Sequence, residues 1–267
     1  MSTINQNGWV IPQSQHKTYS DRQSSYYKLG PYETDISHIK QSTNGVMGTY
    51  NLPTDISNYF SSLKQYIAKS ELAYLLHGPC IPFMLPTNKG QHDIGSLLED
   101  IYFPELSLIT SLDGNRCFKY ILQGNEETLK NRLQPTASYV KLVEQNKSSE
   151  IMGYYFPLAF EGYAVSSQIE AIQQFASCED FSIALSGPME IASVLAANSR
   201  LLLNPTSYSH ILCASGVTHV DNRLVLCFKS YGSNLEGWLL TKQLTLDIEQ
   251  ISEQWSGGIT VYRAISN

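Results

Sequence analysis

Charge is scarce in this sequence. Only 16% of its 267 residues are Asp, Glu, Lys or Arg, and 18 basic side chains against 24 acidic ones leave a formal charge of -6. With no basic stripe, nucleic acid is not an expected partner. No window approaches the roughly eighteen uninterrupted apolar residues that a membrane helix needs, so no membrane span is expected. The opening MSTINQNGWVIPQSQHK lacks a basic region followed by an apolar run, which argues against a cleaved signal peptide. The expectation is a cytoplasmic protein, or one secreted without such a signal. Cysteine is sparse and odd in number, at 5, and no Cys-x-x-Cys pair occurs. That removes the usual zinc and dithiol motifs and leaves buried, reduced thiols as the expectation. A Gly-rich phosphate loop, a Gly-x-Ser-x-Gly elbow and an HExxH helix are also missing. Nothing in the pattern asks for a metal or an organic cofactor.

What is present is enough chain for a real core and 17 tyrosines among many Ser, Asn and Gln residues. Residues 1–50 are polar and broken by Gly, Pro and Asn, and read as a loop-rich arm laid over the body. Residues 51–267 read as a single α+β domain; a subdomain boundary, if there is one, falls near 146–150. Pro53-Thr54-Asp55 is a helix start, followed by Ile56, Tyr59, Phe60, Leu63, Tyr66 and Ile67 at spacings of three and four. A second short helix is expected over Ser70–Leu76. Ile81 to Pro86 is apolar but carries two prolines, which suits a sheet edge or a bend. Asp93 to Leu98 is a short helix candidate. Leu106–Leu112 and Arg116–Leu122 flank Asp113-Gly114-Asn115 and predict a hairpin. Glu126–Leu133 reads as helical and Tyr139–Glu144 as strand or helix. Met152–Phe160 predicts a buried strand, Ser166–Phe175 a helix with Ile169, Ile172 and Phe175 inward, and Phe181–Leu185 and Ile259–Ile265 strands. The segment from Glu190 to Leu203 has helix formers but stays open between helix and strand.

The stretch most informative about function is Ser209–Trp238. Its first strand runs from His210 to Ala214, Val220-Asp221-Asn222-Arg223 supplies a turn, and Leu224–Phe228 returns. A hairpin of this kind brings His210 near Lys229 and Ser230. His219, at the turn, is expected to face solvent, and Cys213 and Cys227 to lie in the core. His77, His92 and Asp93 show no tetrahedral ligand spacing.

In order, His210 to Gly216, Leu224 to Phe228, Lys229-Ser230-Tyr231-Gly232 and Gly237-Trp238 resemble the C-terminal third of the papain-like cysteine protease superfamily. There a His opens a strand, and a second strand leads into Asn-Ser-Trp-Gly and a Gly-aromatic pair. Gly187-Pro188-Met189-Glu190-Ile191-Ala192 resembles the Gly-Pro-Val strand that precedes the His strand. The resemblance implies a papain-like α+β fold, with a helical N-terminal part and an antiparallel β C-terminal part. It implies His210 as base and then acid, and Ser230, or less readily Lys229, as the group orienting the imidazole. Cys80, 130 positions before His210, fits the Cys-to-His spacing of that family, about 130–150. The pattern departs in two places. The family's Asn falls on Lys229, which offers no acceptor, and the Gln…Cys-Gly-x-Cys-Trp motif is absent. Two readings follow. One is a cysteine peptidase or acyl-transferring relative attacking an amide or thioester through Cys80 and His210. The other is a non-catalytic binding protein of that fold whose nucleophile motif is lost, with a peptide or protein partner. An unrelated α+β fold stands as a third.

Overall fold

The computed structural model describes residues 3–19, 26–34, 36, 39, 55–90, 93–114, 116–122, 127–204, 207–243 and 249–265. Pro53, Thr54, His92, Asn115 and Glu126 lie outside these. Among the described residues, no helix is long and apolar enough to cross a membrane.

Helix α1 (Ile56–Ala68) buries Ile56, Phe60, Leu63 and Ile67, the stripe its periodicity predicts. A 3-10 turn over Ala73–His77 follows. Strand β1 (Ile81–Leu85) is an edge strand, where the missing N–H of Pro82 disturbs no central ladder. Helix α2 (Ile94–Leu97) is capped by the Asp93 carboxylate, which accepts from the N–H groups of Gly95 and Ser96. It continues through a π turn, Leu98–Tyr102, into α3 (Phe103–Leu112). The hairpin expected over Leu106–Leu122 therefore does not form. Phe103, Leu106 and Thr110 are buried at helical spacing with Pro104 in the first turn, a pattern that an apolar run leaves ambiguous from sequence. Only the second half is a strand, β2 (Phe118–Ile121). No helix occupies the described part of 126–133: Asn131 takes a left-handed φ of 58°, and Leu133 opens β3 (Leu133–Pro135). Next come α4 (Ala137–Asn146), β4 (Glu150–Phe156) and α5 (Val165–Ala171). They are followed by β5 (Ser182–Leu185) and α6 (Pro188–Ala197). The open segment from Glu190 to Leu203 is thus helical as far as Ala197 and leaves the helix thereafter, and the family likeness at Gly187-Pro188 does not extend to a strand. Pro188 stands at the start of α6, where its fixed φ suits the first turn.

The remaining elements are all strands: β6 (Ile211–Cys213), β7 (Val217–His219), β8 (Leu224–Tyr231), β9 (Asn234–Thr241), β10 (Trp255–Gly257) and β11 (Ile259–Ile265). One four-stranded antiparallel sheet has the order β1-β4-β11-β5. A five-stranded mixed sheet has the order β10-β6-β8-β9-β2, with parallel pairs at both of its edges. Strands β3 and β7 form a separate antiparallel pair. The fold is α+β. Among the described residues, strands begin at Ile81 rather than being confined to the C-terminal part.

Helix α6 is buried along nearly its whole length, and its Met189, Ile191 and Leu195 join one hydrophobic core with Phe83 and Tyr155 of the first sheet and Leu226 and Phe228 of the second. Burial on nearly every side explains why its composition, Glu190 and Ser193 apart, is apolar rather than striped. The opposite face of the four-stranded sheet is covered by α1 and by Ile4 and Val10 of the N-terminal arm. A smaller cluster of Val165, Ile211, Cys213, Val225, Cys227 and Trp255 lies between α5 and the five-stranded sheet.

Candidate functional site

His210 sits one residue before β6, held by backbone bonds on both sides. Ile211 N–H donates to the Gln254 carbonyl at 2.8 Å, and the arm pairs Tyr27 with Tyr208 in a parallel bridge. Its side chain is 1% exposed and lines a cavity of about 670 Å³ with Trp9, Tyr27, Tyr32, Pro79 and Glu161. The ring Nε2 lies 3.8 Å from Glu161 Oε1. Burial pushes the imidazole down to about 4, against an opposing pull from backbone groups of Tyr27 and Gln254, so the ring is neutral near pH 7.

Ser230 does not orient this ring: its hydroxyl is bonded to Ser209 Oγ at 2.7 Å. The Lys229 ammonium lies over the Trp238 ring, 3.7 Å from its centroid. Both residues line a different groove, of about 1240 Å³, on whose walls stand Tyr208, Tyr231, Arg200 and Asp113. The two tyrosines are 69% and 71% exposed. At one end Asp113 accepts from Arg200, Ser199 and Arg116, and these partners, Arg200 foremost, hold its carboxyl well below the usual range. Hairpin pairing does join β6 to β8, at Leu212↔Phe228 and Cys213↔Cys227. It delivers His210 and Ser230 to different cavities.

Cys80 immediately precedes β1 and packs on the cluster beneath α1. Its neighbour Pro79 reaches the His210 cavity. Burial pushes the Cys80 thiol up to about 12, only partly offset by Lys64. The residue leads into a strand, not a helix, so no helix N-terminus lowers it. A thiolate–imidazolium pair needs the two shifts reversed.

Two features escaped sequence reasoning. His219, expected in solvent, is 4% exposed, because β7 pairs its backbone with Leu133, and its Nδ1 accepts from Asp221 N–H at 3.0 Å. At the start of α6 the fully buried Glu190 carboxylate accepts from Gly187 N–H at 2.9 Å, Thr260 Oγ1 at 3.1 Å and the Tyr139 hydroxyl. Burial raises it above the ordinary carboxylate range. Its place three residues after Gly187 is a helix-start signal that could have been read. Among the described residues, no cluster of three or more His, Cys, Asp or Glu side chains is disposed to hold a metal ion. No protein-family model, curated protein or solved structure matches this chain.

Proposed function

We propose that this chain is a non-catalytic binding protein, with a papain-like order of motifs but no working cysteine nucleophile, and that the groove beside Lys229 and Ser230 takes an acidic peptide segment. The observation that carries this reading is the groove's make-up. Its described lining residues carry three cations, Arg116, Arg200 and Lys229, against a single carboxylate, Asp113, so the groove is locally positive on a chain of formal charge -6. Tyr208 and Tyr231 stand out beside it as exposed aromatic anchors, the residue type that dominates peptide and protein interfaces. The neutral forms of Cys80 and His210 favour binding over hydrolysis.

The test is fluorescence anisotropy with a fluorescein-labelled peptide of alternating Glu and Leu, beside a Lys/Leu peptide of equal length. The acidic peptide should bind, more weakly as salt rises from about 0.05 to 0.5 M. Tyr231→Ala and a Lys229→Glu/Arg200→Glu double variant should each lose roughly tenfold or more in affinity. Equal binding of both peptides, or of the double variant, would overturn the proposal.

One observation favours the second reading, a cysteine peptidase or acyl-transferring enzyme using Cys80 and His210. Pro79, bonded directly to Cys80, lines the same cavity as His210. In that reading Glu161, not Ser230, is the group beside the imidazole.

A further inference from the structure

We infer that Cys213 and Cys227 form a latent disulfide site, closed by a low-molecular-weight disulfide acting as two-electron oxidant. The two residues are direct partners across the antiparallel pair of β6 and β8. Ala214 N–H donates to the Leu226 carbonyl at 2.9 Å, which makes that neighbouring pair the hydrogen-bonded one. Cys213 and Cys227 therefore occupy the non-hydrogen-bonded position, where Cα atoms stand about 4.5 Å apart and side chains lie closest. That spacing falls within the range a disulfide accepts. The sulfurs are 3.6 Å apart. A bond of about 2.05 Å requires them to close by roughly 1.5 Å, within reach of side-chain rotation without moving either strand far.

The other cysteines are placed differently. Cys117 turns its sulfur to Asn234 Oδ1 at 3.2 Å, Cys80 packs beneath α1, and Cys178 is exposed. Both members of the pair are fully buried among Val165, Ile211, Val225 and Trp255, so the closed dithiol is protected. Beside β6 lies β10, a three-residue edge strand over Trp255–Gly257 whose Trp255 packs in the same cluster, so local opening of that short edge would expose the pair to an oxidant.

With oxidised glutathione the chemistry balances. One cysteine sulfur, deprotonated on exposure, attacks the glutathione disulfide; a mixed disulfide forms and one glutathione leaves. The second cysteine sulfur then attacks the protein sulfur of that mixed disulfide, and the second glutathione leaves. Two protons pass from the protein thiols to the two departing thiolates, and two electrons pass from the protein to glutathione. The bond would tie β6, which follows Ser209 and His210, to β8, which carries Lys229 and Ser230. The inference is independent of what the groove binds.

The experiment uses the native protein in oxidised glutathione at about pH 8, quenched with acid, alkylated and mapped without reduction. The expected product is a single cross-linked peptide pair joining Cys213 to Cys227, two hydrogens lighter than the dithiol, reversed by dithiothreitol. Cys178 should carry glutathione and remain uncrosslinked. The linked form should melt about 5–10 °C higher, as a short closed loop in a chain of this size predicts. Cys213 and Cys227 remaining reduced, or each carrying its own glutathione, would refute the site. So would linkage that appears only in urea. In Cys227→Ala the cross-link must vanish; a link from Cys213 to another cysteine would equally count against the pairing. The wild-type map decides the question even if that variant folds poorly.

Discussion

Replacing His210 by Gln tests the central electrostatic claim, that this imidazole is held neutral by burial. An imidazole that titrates at its ordinary 6.5 in the unfolded chain and near 4 in the fold favours unfolding on acidification by about 3 kcal/mol. The sign follows from proton uptake. Between about pH 6.5 and 4 the unfolded chain binds a proton at this position and the folded chain does not. Stability from the neutral ring is complete above that window and is lost as pH falls through it. Wild type alone will not isolate the effect. Glu105, pushed up to about 7 by burial, and Glu190, raised by burial, take up protons in the fold and pull the profile the other way. Subtracting the His210→Gln profile removes them. Urea unfolding at intervals from about pH 4 to 7.5 should give a wild-type-minus-variant difference that grows with pH by about 3 kcal/mol. A flat difference would mean that water reaches the ring. A difference that falls with pH would mean that the Glu161 carboxylate, 3.8 Å away, outweighs burial.

Other outcomes follow from the packing and the chemistry. Gly153→Ala would put a methyl carbon 2.3 Å from the Val261 carbonyl oxygen inside the first sheet, and should lower stability by about 2–3 kcal/mol in thermal melts. Glu190→Ala strips the acceptor from Gly187 N–H, Tyr139 and Thr260 in a dry site, and should remove about 3 kcal/mol or more by urea titration. With iodoacetamide near neutral pH, exposed Cys178 should label first. Cys80, its thiol raised from 9.0 to about 12, carries roughly a thousandfold less thiolate than an ordinary cysteine. A fast-labelling Cys80 that slows in His210→Ala would instead revive the hydrolase reading.

Elements whose pattern admits one period were legible in the sequence. The stripe from Ile56 to Ile67 could only be a helix face, and the two prolines of Ile81–Pro86 pointed to a sheet edge or a bend, of which the edge is what forms. Runs that are apolar on all sides were not legible. Leu106–Leu112 and Met189–Leu195 satisfy helix and strand equally, and tertiary burial chose helix for both. The antiparallel pairing after His210 was readable as well. Its side-chain destinations were not, because they depend on the arm that covers the cavity with Trp9, Tyr27 and Tyr32, far away in sequence. The groove was missed for the same reason. Asp113, Arg200 and Tyr231 converge only after α3, the end of α6 and the β8–β9 turn are in place.

The position of β11 bears on how the chain folds. Ile259–Ile265 fills the gap between β4 and β5, and Ile265 pairs with Glu150 more than a hundred residues earlier. Until that segment is made, the inner edges of β4 and β5 have no partner, and the apolar side chains they carry have no completed sheet to pack in. This sheet must wait for a loop of that length to close, an entropic cost that slows its completion. During synthesis those two unpaired edges are the surfaces a chaperone would need to shield, and a prematurely stopped chain would be prone to aggregate through them.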